Sequence, residues 1–237
     1  MPTLELFRDD ATLASCSATI TAIGEAGIEL DRTVFYPQGG GQAGDAGTLR
    51  RADGTVLVIA DTRKGAGPGA IVHQPAPQAD LSGWAVGQTV EACIDWSRRQ
   101  AHRRLHTTTH LLCALVPHPV DGCSITASYA RLDFHMTEPL DKDALSAGIA
   151  AFVARALPVR HRWVDEAELD ANPGLVRSMS VSPPRGQGRV RLVDIEGVDL
   201  QPCGGTHVAN TAEIGAVVVT KVEKKSARTR RVVLGFS

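Results

Sequence analysis

The sequence predicts an α+β protein, with a β-rich first part built as a small barrel or sandwich and an α+β part after it. Three observations predict this. Up to about residue 95, short β-prone runs alternate with Gly, Pro and Asp-Gly turn signals, and no long helical period appears. Beyond that point apolar residues recur at helical spacing in two stretches, 97–116 and 141–157. Alternating runs then return toward the end of the chain. With 237 residues there is room for one large domain or two modest ones. The change of pattern near Asp95 divides 1–95 from 96–237.

In chain order, the runs at 33–36, 55–59 and 89–94 are expected strands, and Asp53-Gly54 is a hairpin turn between Leu49 and Val56. Three consecutive glycines, Gly39-Gly40-Gly41, stand before Gln42. They are costly in conformational entropy, so they suit a loop that bends sharply or approaches something closely; a solvated hairpin tip is the plain alternative. The Gly-Lys-Ser/Thr ending of a phosphate-binding loop is missing. The first helix carries Ala101, Leu105, Leu112 and Leu115 on one stripe, with Asp95 or Ser97 as cap and Pro117 as stop. A strand is expected at 131–135. The second helix puts Leu145, Ile149, Phe152, Val153 and Leu157 on one face. A loop follows around Asn172-Pro173-Gly174, then a strand at 190–195 and a closing hairpin from 216–222 and 230–236.

Apolar residues make up 43% of the chain and charged residues 22%, ordinary values for a globular protein. The formal net charge is −1, so any nucleic-acid contact must come from local basic patches. No apolar run approaches the roughly 20 residues of a membrane span. The start, MPTLELFRDD, has no basic segment leading into an apolar one, which argues against a secretory signal. Five irregularly spaced cysteines argue against a disulfide framework and for a reducing compartment. A cytoplasmic location is expected.

Chemistry concentrates in two pairs. His106 and His110 are four apart on the first expected helix, one above the other on one face. Cys203 and His207 are also four apart, around two glycines that suit a tight loop. Either pair alone is weak evidence, since core histidines are common. Together, thiolate and imidazoles are a plausible tetrahedral shell for one zinc ion. A metalloprotease would place Glu directly after the first His, where Thr107 stands, so peptidase chemistry is disfavoured. Thr107-Thr108-Thr109 are poor helix formers in mid-helix, an anomaly that draws attention to their hydroxyls. Arg98, Arg99, Arg103 and Arg104 make the first turns basic. Lys224, Lys225, Arg228 and Arg230 belong to a basic hairpin tip, which is either a solvated turn or an RNA-backbone contact.

Read together, these motifs resemble the editing domain of alanyl-tRNA synthetase and its freestanding AlaX relatives, in particular the medium-length form. The matching text comprises 35–42, 104–112, Arg131-Leu132-Asp133-Phe134 and 203–215. The resemblance implies an N-terminal β-barrel at 1–95. It also implies a zinc-binding α+β editing domain at 96–237, of the kind shared by threonyl- and alanyl-tRNA synthetases. One departure stands out. Relatives often carry Gly-Gly-Gln or Gly-Ser after the His pair, where this chain has Gly122-Cys123-Ser124.

The activity implied is deacylation in trans of mischarged Ser-tRNA(Ala), with Gly-tRNA(Ala) as a further candidate, sparing Ala-tRNA(Ala). Its cofactor would be one zinc ion on His106, His110, Cys203 and His207. Gly39, Gly40, Gly41, Gln42, Thr107, Ser124 and Thr126 are the candidates for substrate contact. Arg98, Arg99, Arg103, Arg104, Lys224, Lys225, Arg228 and Arg230 are those for the tRNA(Ala) acceptor stem and 3′ aminoacyl end. No membrane and no obligatory protein partner is implied. No general base stands out: Asp133 is a candidate, with an ion pair to Arg131 as the competing reading. A non-catalytic zinc-containing tRNA-binding module, or a deacylase for another mischarged tRNA, are the alternatives.

Overall fold

The computed structural model describes residues 2–172 and 188–237. They form two compact units: Met1–Gly39 with Ala43–Gln100, and Gly40–Gln42 with Ala101–Ser237. Pro173 and Gly174 of the expected loop lie outside the described residues.

The first unit contains β1 (Leu4–Glu5), β2 (Ser15–Gly24), β3 (Gly27–Leu30), β4 (Arg32–Thr33), β5 (Gly47–Arg51), β6 (Val56–Lys64), β7 (Ile71–Pro75) and β8 (Thr89–Ile94). Six of these close into a barrel in the order β2-β3-β7-β6-β5-β8, and β1 pairs with β4. Closure decides between the barrel and the sandwich, and it leaves no open edge among the six. Alternation fills the interior: Leu57 and Ile59 of β6 are buried while Val56 and Val58 face outward. Ala18, Ile20, Ile28, Leu30, Leu49, Val90 and Ala92 belong to the same core. Asp53-Gly54 is the β5–β6 turn, with Gly54 at φ +86°.

The expected strand at 33–36 is a correction. Only its first residue is strand, because side chains capture the next amides: Phe35 N donates to Thr33 Oγ1 and Tyr36 N to Asp45 Oδ2. Pro37 then has no N–H to offer a partner strand.

Helix α1 (Trp96–Leu115) begins where Asp95 Oδ1 accepts from Arg98 N at 3.0 Å, which selects Asp95 over Ser97 as the cap. The second unit continues with β9 (Val120–Ile125), β10 (Tyr129–His135), α2 (Lys142–Ala154), β11 (Val159–Asp165), α3 (Glu166–Ala171), β12 (Arg189–Ile195), β13 (Asp199–Pro202), β14 (Val217–Ser226) and β15 (Thr229–Phe236). Four of these strands make an antiparallel sheet in the order β14-β15-β10-β9, and β11-β12-β13 make a second. Leu105, Leu111 and Leu112 of α1, Ile149 of α2 and Leu132, Phe134, Val232 and Leu234 of the larger sheet form one core. This core fixes the rotation of α1, and thereby where its histidines point.

Candidate metal centre

His106 and His110 lie mid-way along α1, both buried. Cys203 directly follows β13, and His207 comes before the short 3-10 helix Thr211–Ile214. The four side chains converge, with all their ligand atoms within 4.8 Å of one another. Cys203 Sγ is 3.4 Å from His106 Nε2 and 3.2 Å from His207 Nε2. A tetrahedral shell with bonds of about 2.0–2.3 Å places its ligand atoms about 3.3–3.6 Å apart, so these separations suit one small cation.

Hydrogen bonding fixes which ring nitrogen of each histidine faces the centre. Thr107 Oγ1 donates to Arg103 O and accepts from Val208 N, so His207 Nδ1, 3.1 Å away, is the donor to it. Asp199 Oδ2 accepts from His110 Nδ1 at 2.8 Å and from Gln201 Nε2 at 2.8 Å. Gln42 Oε1 accepts from Thr206 N, a group that only donates, so His106 Nδ1 at 2.8 Å also gives its proton to that oxygen. All three Nε2 atoms are left as acceptors. Three lone pairs and a sulfur turned toward one point are unfavourable unless a cation gathers them, and the residues present fit a metal.

The electrostatics agree. Burial opposes ionisation of Cys203, but its neighbours His106 and His207 outweigh it and hold the thiol well below 9.0, toward its ligating form. Burial holds the pKa of His207 well below 6.5, which favours the neutral form a ligand needs. Burial also opposes a charge on His110, yet Asp199 and Cys203 raise it to about 10, a measure of how strongly their negative charges favour a cation there.

The loop that carries Cys203 and His207 lacks regular structure, and buried arginines serve its carbonyls instead. Arg191 Nη1 donates to Cys203 O and to Gly205 O, both at 3.0 Å, and Arg103 Nε donates to His207 O at 2.8 Å. Gly205 packs against His106; a Cβ there would lie 2.1 Å from His106 Cε1. Asp199, Gln201 and Arg191 were missed in the sequence. Asp199 stands four residues before Cys203, but no spacing rule links it to His110, 89 positions away.

Several expected contact residues have structural duties. Arg99 is fully buried, ion-paired with Asp45 and donating to Val34 O at 2.6 Å. Arg103 is 2% exposed and committed to His207 O, so neither guanidinium is available to a phosphate. Arg98 and Arg104 are half-buried; Arg98 donates to Gly44 O, and Arg104 donates to Ile214 O and stacks on Phe236. Arg230 is buried among the carbonyls of Thr137, Glu138, Ser226 and Thr229. Lys224, Lys225 and Arg228 are exposed around the β14–β15 turn.

Thr107, Thr108 and Thr109 each return a hydroxyl bond to a carbonyl three or four residues earlier, which answers their anomaly and removes Thr107 as a free hydroxyl. Thr126 Oγ1 closes the β9–β10 turn by donating to Tyr129 O. Ser124 is half-buried, and its hydroxyl has no hydrogen bond among the described residues. Gly40, Gly41 and Gln42 group with the unit that holds the metal centre, while Gly39 groups with the barrel. Gln42 is fully buried behind His106, which removes it from direct substrate contact. Asp133 is gripped by Arg131 at 2.8 Å and Arg231 at 2.7 Å. Burial would raise its pKa, but these two arginines outweigh it and hold the carboxyl low, which unsuits it as a general base.

Comparison with known proteins places this site in context. Residues 190–233 match the family described as threonyl and alanyl tRNA synthetase second additional domain, and residues 4–98 match class II (A) tRNA synthetases. The alanyl-tRNA editing protein AlaX-M of Methanosarcina barkeri is 34% identical over 212 residues, 86% of each chain. That of Saccharolobus solfataricus is 31% identical over 237 residues, 97% of each chain. The alanine–tRNA ligase of Sulfurisphaera tokodaii is 31% identical over 232 residues, 94% of this chain and 25% of the ligase. Among the described residues, no helix is long and apolar enough to cross a membrane.

Proposed function

The chain belongs to the AlaX-M family of alanyl-tRNA editing proteins, and on that footing we propose that it hydrolyses mischarged Ser-tRNA(Ala) in trans and spares Ala-tRNA(Ala). Gly-tRNA(Ala) is a further candidate substrate. The observation that carries the reading is the convergence of His106, His110, Cys203 and His207 on one cation-sized space.

On this reading the four residues hold one zinc ion, the metal that thiolate and imidazole donors favour. The chemistry such an ion supplies is positive charge, which attracts a substrate heteroatom and polarises the ester. The protein's own residues do the rest. Serine is larger than alanine, so a pocket cannot protect the correct product by excluding the bigger residue. Selectivity must come from contact with the serine hydroxyl. With Thr107 and Thr126 committed to backbone carbonyls, Ser124 is the hydroxyl we assign to that contact.

Lys224, Lys225 and Arg228 are assigned to acceptor-stem phosphates, where they orient the RNA without reading sequence. The half-buried Arg98 and Arg104 are assigned a lesser share. We further assign residues 1–95 to the barrel domain, 96–237 to the deacylase domain, and the protein to the cytoplasm.

The test is ester loss from Ser-tRNA(Ala), Gly-tRNA(Ala) and Ala-tRNA(Ala) with the intact protein. Faster loss from the serine form than in buffer, with the alanine form unchanged, is expected. Binding of tRNA without faster loss from any form would leave only a non-catalytic module. Loss only from another mischarged tRNA would move the substrate.

A further inference from the structure

Gln42 touches both halves of the metal centre, though it lies 64 positions from His106 and 164 from Thr206. In sequence it sits between β4 and β5, yet it groups with the second unit. Its backbone is fixed first. Gly41 O accepts from Ile125 N at 2.8 Å, and Gln42 forms a parallel bridge with Ile125 on β9, the edge of the larger sheet. Gly41 has φ +86°, and a Cβ there would lie 2.9 Å from Cys123 Sγ, so both conformation and space require glycine. The glycine run therefore serves a close approach, and that approach delivers one side chain.

That side chain is 0% exposed. Its oxygen takes the His106 Nδ1 proton at 2.8 Å and the Thr206 amide proton at 3.1 Å, and its nitrogen donates to Thr206 Oγ1 at 3.0 Å. Thr206 lies between the two ligands of the loop, and His106 belongs to the helix pair. One amide therefore sets the tautomer of a helix ligand and the position of the loop that brings the other two.

We propose that Gln42 is a positioning residue of the metal centre, holding His106 in its Nδ1–H form and the 203–207 loop against α1 so that four ligand atoms meet. This rests on the reading that His106, His110, Cys203 and His207 bind a metal. Outer partners of ligating histidines contribute to affinity by orienting the ring and raising its basicity. Asp199 does this for His110; Gln42 does it for His106 and for the loop together.

The experiment is titration of the metal-free full-length protein with cobalt(II), following its visible bands, alongside zinc affinity by chelator competition. Wild type, Gln42→Met and Gln42→Glu are compared, with the thermal midpoint of each metal-free form. Methionine keeps the length and removes the acceptor, and we expect about 10–100-fold weaker binding and altered cobalt bands with little change in metal-free midpoint. Glutamate still accepts the Nδ1 proton and is expected to stay close to wild type.

A methionine variant with wild-type affinity and bands overturns the proposal. So does a glutamate variant as weak as the methionine one, since the side chain would then act by packing alone. If Gln42→Met does not fold, Gln42→Asn replaces it: its amide is one methylene too short to reach both partners, and wild-type affinity there is equally fatal. A wild-type protein that binds neither cobalt nor zinc overturns the metal reading itself, and the two failures are thereby distinguishable.

Discussion

Asp199 Oδ2 lies 2.8 Å from His110 Nδ1, placing a buried carboxylate directly behind a candidate ligand. A carboxylate there fixes the imidazole tautomer and raises its basicity toward a metal. Replacing Asp199 with alanine is expected to weaken zinc binding about 10–100-fold, measured by chelator competition. Asp199→Asn keeps an acceptor oxygen without the charge, so its affinity should fall between alanine and wild type. Equal zinc affinity across the three proteins would show that the carboxylate does not act on the centre.

His73 gives the barrel a pH dependence of its own. It is fully buried, with Nδ1 donating to Ile28 O and Nε2 accepting from Thr33 Oγ1. Burial pushes its pKa from 6.5 down to about 4, against the opposing pull of the Ile28 bond. The native state therefore refuses a proton that the unfolded chain takes up below its own pKa. This contribution is complete above pH 6.5, declines as pH falls toward 4, and is lost below that. At about 1.4 kcal/mol per unit, roughly 3.5 kcal/mol is involved. Denaturant midpoints of wild type and His73→Met should converge as pH falls through this window; a constant difference would contradict it.

The basic hairpin divides into two kinds of residue. Lys224, Lys225 and Arg228 are exposed, and their joint replacement by alanine should raise KM for aminoacyl-tRNA with little change in kcat or melting temperature. The salt dependence of KM should flatten by a slope of about 0.7–0.9 for each phosphate no longer neutralised. Arg230→Ala should act differently. It removes a buried donor shared by four carbonyls and should cost about 2 kcal/mol of stability, read from chemical denaturation.

Ser124 has the uncommitted hydroxyl among the three candidates. If it reads the substrate, Ser124→Ala should lower kcat/KM for Ser-tRNA(Ala) about fivefold, the worth of one neutral hydrogen bond of about 1 kcal/mol. The background rate on Ala-tRNA(Ala) should not change. An unaltered serine rate would transfer the reading role elsewhere.

The two ligand pairs were legible because each is a local pattern: four residues along a helix, and four around a glycine turn. The triple glycine was legible as a close approach, though what it approaches, Cys123, lies more than 80 positions away and has no sequence mark. Strands β2, β3 and β7 were not anticipated. Small and polar residues such as Ser15, Ser17, Ala18 and Thr19 dilute the alternation that closing a barrel supplies in three dimensions. Two of the helix arginines, Arg99 and Arg103, are buried where an exposed face was expected, and the reason is physical. Arginine spacing on a helix does not tell solvent from interior, and Arg99 is inside because Asp45, 54 positions away, neutralises it there. The same limit hid Arg191, a charge in an apolar strand whose use is to hold the carbonyls of the Cys203 loop.

The most direct measurement is metal content per chain, by elemental analysis, for wild type, Cys203→Ala and His110→Ala purified alike. One zinc per wild-type chain, with most of it lost in both variants, is the result expected if His106, His110, Cys203 and His207 form one shell. Zinc content unchanged in either variant would contradict that shell.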